Sequence, residues 1–276
     1  MHIDNKKYKI ETKKNIQTKI VHISDIHYSK KYNTKILDKV TKEIEQHNPN
    51  YICITGDLID TYNVTKTKEF EYFINWLKKL SEIAKVIITP GNHEYVLYKD
   101  NKFIYHNDIN WLKNIDKNIT LLNNDILELD DITFIGFNPS YKFYYKDKEK
   151  NKRKTTLLSE LINKVNTKYN ILLLHTPSFI TKNNNYKNIE NYSKLDLILW
   201  GHTHGGLIPS FIPGNFGIIS PNKELFPKNV RGKLKVGNKN LIISSGVIKL
   251  SEKSKLMKFN NIYGINVNLI HISNKI

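Results

Sequence analysis

Residues 195–206 read LDLILWGHTHGG. The first six are apolar apart from Asp196 and show no polar alternation. Such a run is typical of a strand covered on both faces, as in the parallel sheets of α/β proteins. It stops at Gly201, and two histidines come next, His202 and His204, with glycine on both sides. One reading is a polar turn after a buried strand, ordinary at a strand end. The other is a metal site. At i and i+2 of an extended backbone two imidazoles point to the same side, and glycine lets the chain bend sharply and approach a ligand closely.

The same kind of apolar run recurs along the chain. KIVHIS (19–24), YICIT (51–55), KVIIT (85–89), ITFIGF (132–137) and NILLLH (170–175) read as strands. Between them, Ile36, Leu37, Val40 and Ile44 fall at helical spacing, with Thr34 placed to cap, and so do Phe70, Phe73, Ile74, Leu77 and Leu80. NDINWLKNI (107–115) predicts a further helix, and late strands are expected at LIISSG (241–246) and within IYGINVNLIHI (262–272). Strands and helices alternate, and β-rich segments come after them, which indicates an α/β layered fold. The chain has 276 residues. It is read as a single domain over 1–276, with a motif-bearing core over about 19–205 and a β-rich part over about 206–276.

The single cysteine, Cys53, excludes an internal disulfide framework and, within YICI, reads as a buried inert thiol. The first residues are polar without an apolar signal-peptide region, and no apolar run reaches the ~18 residues needed to span a bilayer. The expected location is therefore cytoplasmic or peripheral at the membrane. The formal charge is +17. One reading is attraction to a polyanion such as nucleic acid, anionic lipid or a teichoic-type polymer. The other is composition. Only Arg153 and Arg231 are arginine among 43 basic residues, whereas phosphate recognition favours arginine forks. YKFYYKDKEKNKRKT (141–155) is the most basic stretch and reads as an exposed loop, open to anion contact or simply solvated.

The residues just past each strand narrow the function. KIVHIS leads into Asp25-Ile26-His27, and YICIT into Gly56-Asp57-Leu58-Ile59-Asp60. KVIIT leads into Pro90-Gly91-Asn92-His93-Glu94, NILLL into His175, and LDLILW into Gly201-His202-Thr203-His204. Each alone has a plain explanation as a turn, a cap or a core histidine. In open α/β sheets, however, ligands bind beyond the carboxyl ends of the strands, so these five termini can converge on one site.

In this order, D-x-H, GD-x-x-D, GNH-E, an isolated H and GH-x-H resemble the calcineurin-like metallophosphoesterase superfamily over residues 20 to 205. The resemblance implies a four-layer α-β-β-α sandwich, with two packed mixed sheets and a dinuclear metal site at the C-terminal ends of the strands. It places Asp25, His27, Asp57 and His204 on a first metal, and Asp57, Asn92, His175 and His202 on a second, with Asp57 shared. It makes His93 the acid and Asp60 the residue that orients it.

These residue types suit that chemistry. Carboxylates and imidazoles favour Mn, Fe, Zn or similar ions, and the absence of thiolate ligands argues against a structural zinc cage. Two such metals need a shared anionic ligand and lower the pKa of a bridging water, giving a hydroxide that attacks phosphorus in line. An alkoxide leaving group needs a proton, and imidazole titrates in the right range to give one. The expected function is a phosphodiesterase. GDLIDTYN lacks the Arg-Gly that the superfamily's protein phosphatases carry after this motif. The double glycine of GHTHGG resembles a bacterial phosphodiesterase branch whose members often act at the membrane or cell wall, some on lipid- or sugar-linked phosphoesters. That branch commonly has Gln next, where this chain has Leu207. IPSFIPGNFGI (208–218) resembles the same branch, and Pro209, Phe211 and Pro213 read either as an apolar pocket mouth or as a surface loop. The expected partners are a phosphoester substrate, lipid- or cell-wall-linked, and an anionic membrane surface. A metal-dependent nuclease is the alternative, and a non-catalytic scaffold on the same fold comes last because no ligand position is lost.

Overall fold

The structure, a computed structural model, describes residues 2–29, 34–100, 102–106, 108–129, 131–139, 151–165, 168–176, 180, 186–206, 208–209, 217–219, 228–247 and 264–275. In chain order the first half holds β1 (Ile3–Thr12), β2 (Thr18–Ile23), α1 (Lys35–His47), β3 (Tyr51–Thr55), α2 (Phe70–Ile83), β4 (Lys85–Thr89), the hairpin strands β5 (Val96–Lys99) and β6 (Lys102–Tyr105), and β7 (Ile119–Leu121). The second half holds β8 (Asp125–Glu128), β9 (Ile132–Phe137), α3 (Asn151–Asn163), β10 (Tyr169–Leu174), β11 (Leu197–Trp200), the short pair β12 (Ile208–Pro209) and β13 (Gly217–Ile219), then β14 (Gly232–Val236), β15 (Lys239–Ile243) and β16 (Ile265–Asn274).

Two six-stranded mixed sheets carry the fold, in the orders β1-β16-β2-β3-β4-β7 and β14-β15-β11-β10-β9-β8. β2, β3, β4 and β7 run parallel, as do β9, β10, β11 and β15. The other strands are antiparallel additions, apart from β1, which runs parallel to β16. The expected α/β class therefore stands as a mixed α/β fold with several sheets.

Three apolar clusters explain why the central strands lack polar alternation. Successive side chains point to opposite faces, so a strand covered on both sides must be apolar throughout. Ile20, Cys53 and Ile87 of the first sheet share a core with Phe134, Ile171, Leu173 and Ile242 of the second. The opposite set from the first sheet, Val21, Ile52, Ile54 and Ile88, packs with Leu37, Val40 and Ile44 of α1 and with Phe73, Leu77 and Leu80 of α2. Ile135, Leu172, Ile198 and Trp200 of the second sheet pack with Leu158, Leu161 and Ile162 of α3. Cys53 is fully buried, and burial pushes its thiol far above the usual range, in keeping with an inert packing role. Among the described residues no helix is long and apolar enough to cross a membrane.

The structure corrects two local expectations. Residues 108–115 form a single 3₁₀ turn over Asn110–Leu112 rather than a helix. Asp108 Oδ1 accepts the Asn110 amide at 2.9 Å, as a helix cap would, but Lys113 is extended and Asn114 turns left-handed at φ 59°, so the turn ends after Leu112. The basic stretch 141–155 is not all loop. Its last five residues open α3, whose buried Leu158, Leu161 and Ile162 recur at helical spacing. Residues 141–150 lie outside the described residues, as do Leu207, Phe211 and Pro213, while Pro209 lies in β12. Thr34 does occupy the N-cap position of α1, but with helical backbone angles and no side-chain capping bond.

Gly136 in β9 packs directly against Leu122, one residue past β7. A Cβ there would stand 2.2 Å from Leu122 Cβ and 2.5 Å from the Leu122 carbonyl oxygen, and backbone cannot move aside cheaply. Gly136→Ala is expected to destabilise the fold by about 1–3 kcal/mol through overpacking, read as a lower denaturant midpoint with an unchanged m-value. An unaltered midpoint would show that Gly136 and Leu122 are less tightly packed.

Candidate metal centre

The loops after β2, β3, β4, β10 and β11 meet at one end of the two sheets. The first two are laced together by backbone hydrogen bonds. Asp25 N–H donates to the Gly56 carbonyl at 3.0 Å, His27 N–H to Asp57 at 2.9 Å, and Tyr28 N–H to Leu58 at 2.9 Å. Asp60 N–H returns a bond to Tyr28 at 2.9 Å. This lacing holds the chain in an uncommon shape. Asp25, His27, Asp57, His202 and His204 all have φ between 46° and 68°. Left-handed backbone costs an L-residue roughly 1–2 kcal/mol. Elsewhere among the described residues the only non-glycine residues in this region are Asn and Asp, so the three histidines stand out.

The side chains so placed form two triads. Asp25, His27 and His204 bring one ligand-type atom each within 4.8 Å of one another, and so do Asp57, His175 and His202. His27 Nε2 lies 3.2 Å from His204 Nε2, and His175 Nε2 lies 3.1 Å from His202 Nδ1. The Asp57 carboxylate, a member of the second triad, also reaches the first, with Oδ2 3.1 Å from His175 Nε2 and 3.6 Å from His27 Nε2. All six are buried except His202, which is half-buried. His93 and Asp60, also half-buried, form a third grouping with His27.

The supporting contacts fix ring orientation. His175 Nδ1 donates to the Thr55 carbonyl at 2.7 Å, which leaves Nε2 for the centre. His93 Nδ1 donates to the Asp60 carbonyl at 2.6 Å, and the His93 amide donates to Asp57 Oδ1 at 2.9 Å. The contact that orients His93 is thus made by the main chain of Asp60. The Asp25 carboxylate accepts the His202 amide at 2.9 Å and the Ser24 hydroxyl.

Charge depends on burial and neighbours. Burial, with His93 next in size, pushes His27 well below the ordinary imidazole range, and burial lowers His204 as well. Burial and the neighbouring His175 bring His202 down to about 3. These rings are neutral near pH 7, the form that coordinates metal. His175 is the exception. Burial pulls it down, but the Asp57 carboxylate outweighs that and lifts it to about 9. Asp57 in turn, though opposed by burial, is held well below the usual carboxylate range by His175 and His93.

The donor set fits metal ions. Oxygen and imidazole nitrogen suit divalent first-row metals. Asn92 Oδ1 and His27 Nδ1 are buried with no hydrogen-bond partner among the described residues, and such groups are costly unless something binds them. Asn92, named from the sequence, is thereby placed with a bare acceptor at the strand end that also carries His93.

Two structural roles were not foreseen in the sequence. Gly201 does not have a left-handed backbone. Its hydrogen instead permits close packing, since a Cβ would stand 2.6 Å from Asp25 Oδ2. Gly91 acts alike, as a Cβ would stand 2.3 Å from Asp57 Oδ1. The second is Glu94. Its fully buried carboxylate accepts the amides of Leu58 at 2.7 Å and Ile59 at 3.3 Å on Oε1, and those of Asp57 at 3.0 Å and Gly91 at 2.6 Å on Oε2. It joins the loop bearing Asp57 to the loop bearing Asn92 and His93. Burial, with Asp57 adding to it, lifts this carboxyl to about 7, while the Gly91 and Ile59 amides pull the other way. In the sequence Glu94 closes the GNH-E motif, which attaches no role to it. Glu94→Gln turns one acceptor oxygen into an NH₂ facing two amides, and is expected to cost about 1–3 kcal/mol in chemical denaturation. A neutral outcome would mean that the brace is dispensable.

Known proteins share these residues' span. An uncharacterized metallophosphoesterase of Campylobacter jejuni is 30% identical over 201 residues, covering 70% of this chain and 46% of that protein. One from Helicobacter pylori is 29% identical over 197 residues, covering 71% and 46%. One from Bacillus subtilis is 29% identical over 213 residues, covering 74% and 63%. The chain spans about half the length of the first two relatives. The family model of the calcineurin-like phosphoesterases matches residues 18–206, from the first residue of β2 to the second glycine after His204. That span contains every residue of the cluster, and the chain belongs to the calcineurin-like phosphoesterase family.

Proposed function

We propose that this chain is a metal-dependent phosphoester hydrolase whose preferred substrates are phosphodiesters. The observation that carries the reading is the Asp57 carboxylate, which belongs to one triad at 3.1 Å from His175 Nε2 and reaches the other at 3.6 Å from His27 Nε2. Asp25, His27, Asp57 and His204 would hold one metal, and Asp57, Asn92, His175 and His202 a second. Bound metals would supply Lewis acidity, an activated water and compensation for phosphoryl charge. The four-layer sandwich is the matching fold reading, supported by one core between the sheets and one under each set of helices. Pairing of β1 with β16 supports treating residues 1–276 as one domain.

The chain's own groups do the rest. His93 is half-buried beside the centre, grouped with His27 and Asp60. With Nδ1–H committed to the Asp60 carbonyl, Nε2 is the atom turned toward substrate, and a doubly protonated ring delivers its proton there to the leaving oxygen. Asp60 positions that ring. Asn92 ligates without charge, so it adds no repulsion toward a phosphate. The double glycine at Gly205 and Gly206 supports placement near the bacterial phosphodiesterase branch, and with it a lipid- or cell-wall-linked ester as substrate.

Turnover with Mn²⁺ on bis-p-nitrophenyl phosphate, p-nitrophenyl phosphate and single-stranded DNA tests the class. Preference for the first supports the reading, whereas DNA cleavage would favour a nuclease. His93→Ala is expected to keep its metal and lose about 10²–10⁴-fold in kcat on an alkyl phosphodiester. Parental turnover would remove His93 from the acid role. Asp57→Asn is expected to lower metal stoichiometry at both positions, and unchanged stoichiometry by elemental analysis would end its shared role. Because Mn²⁺ must displace the His175 proton, metal affinity should rise with pH up to about 9 and then level off. A flat profile in titration calorimetry would contradict that proton count.

A further inference from the structure

A second site lies at the other end of β2. The metal-centre loop comes after Ile23, whereas Lys19 stands near the strand's start, roughly 20 Å from Asp25 at 3.3 Å per residue. Here three strands bring basic side chains into one row. Lys9 of β1 is paired with His271 of β16, and His271 with Lys19 of β2. Two residues along, Lys7 is paired with Leu269, and Leu269 with Val21. The strand period of two puts both rows on the same face of the sheet. It is the face that α1 covers, since Val21 and Leu269 share a cluster with Leu37, Val40 and Ile44.

Past the C-terminal end of α1 this face opens into a cavity of about 290 Å³. Lys7, Lys9, Lys19, His47 and His271 line it, and no aspartate or glutamate does. Its floor is apolar, made by Val21, Leu269 and Pro49. Glu43 of α1 is engaged by His47 at 2.9 Å and by Asn5. Neighbouring lysines do find acids, Lys6 with Asp4 at 3.0 Å and Lys14 with Asp196 at 2.6 Å. Lys7, Lys9 and Lys19 have no ion pair among the described residues.

Lys9 and Lys19 stand two strands apart, about 10 Å at ~4.8 Å per strand, on either side of His271, a spacing at which two long ammonium side chains can share one anion. The size is that of a small-ligand site, near the lower limit of about 300 Å³, and the apolar floor beneath a cationic rim asks for a ligand with both characters. We infer that this groove binds a small phosphorylated organic molecule, its phosphate between Lys9 and Lys19 and its apolar part on Val21, Leu269 and Pro49. The distance from Asp25 separates this ligand from the ester being cleaved, so the site serves binding or regulation and not the reaction itself.

Pyridoxal 5′-phosphate is the probe. Its aldehyde condenses with a lysine amine with loss of water, and borohydride then reduces the imine to a stable adduct that peptide mapping locates. In the full-length chain, Lys7, Lys9 or Lys19 should be labelled about tenfold above the other exposed lysines, with the excess removed by inorganic phosphate. Pyridoxal, which lacks the phosphate, should show no such preference. The double variant Lys9→Gln/Lys19→Gln should lose the preference at Lys7 with an unchanged Tm, since both side chains are exposed. Mapping by position separates this site from any binding of the probe at the metal centre, so the outcome does not depend on the proposed hydrolase activity. Equal labelling by pyridoxal and its phosphate would overturn the inference. So would protection of these lysines by single-stranded DNA at lower concentration than phosphate, which would make the row a polymer surface.

Discussion

The structure depends on keeping a buried carboxylate charged. Asp57 is fully buried among imidazoles, with the Asp25 and Glu94 carboxyls close by, and an isolated charge in such a place would cost far more than a fold can spare. Its neighbours resolve this in two ways. His175 carries a proton against it, and the His93 amide donates to it. Glu94 acts one step back by holding the backbone on either side of the acid, so that the charge meets fixed dipoles rather than loops that must reorganise. An arrangement that satisfies a carboxylate in this way is already shaped for cations, because a cation needs the same things of its surroundings: desolvated oxygen, neutral imidazole and little movement.

The left-handed residues belong to the same account. A strand delivers side chains alternately to two faces, and that alternation cannot by itself aim Asp25 and His27, or His202 and His204, at a common region. Turning the backbone through positive φ redirects each side chain within one residue. The strain is tolerated because hydrogen bonds between the loops after β2 and β3 and close packing at Gly91 and Gly201 leave the chain no relaxed alternative.

Much of this is legible in the sequence. Unbroken apolar runs such as NILLLH report double-sided burial, because burial pattern is written directly into residue type. The collection of Asp, Asn and His at strand ends reports convergence, because parallel strands in one sheet end together. The features that stay hidden depend on competition or on distance. NDINWLKNI has helical apolar spacing, yet the chain becomes extended at Lys113 and left-handed at Asn114, a local choice that apolar spacing does not record. Glu94 carries no mark in the sequence that distinguishes a solvated glutamate from one buried beneath two loops. Gly201 suggests backbone freedom, when the deciding contact is the carboxylate packed against it. In each case the missing information is a contact between residues that are neighbours only after folding, or a local choice of backbone conformation.

β16 has a consequence for how the chain comes to its native state. It lies between β1 and β2, parallel to one and antiparallel to the other, so two early strands do not touch in the finished sheet and are joined only through residues 265–274. During synthesis β2 can pair with β3 as soon as both have emerged, but its other edge stays bare until the far end of the sequence arrives. A long-lived apolar edge invites pairing with foreign strands, and closing so long a loop is slow. The lysines at 6, 7, 9 and 19 lie along the strands that must wait, where their charge discourages premature association.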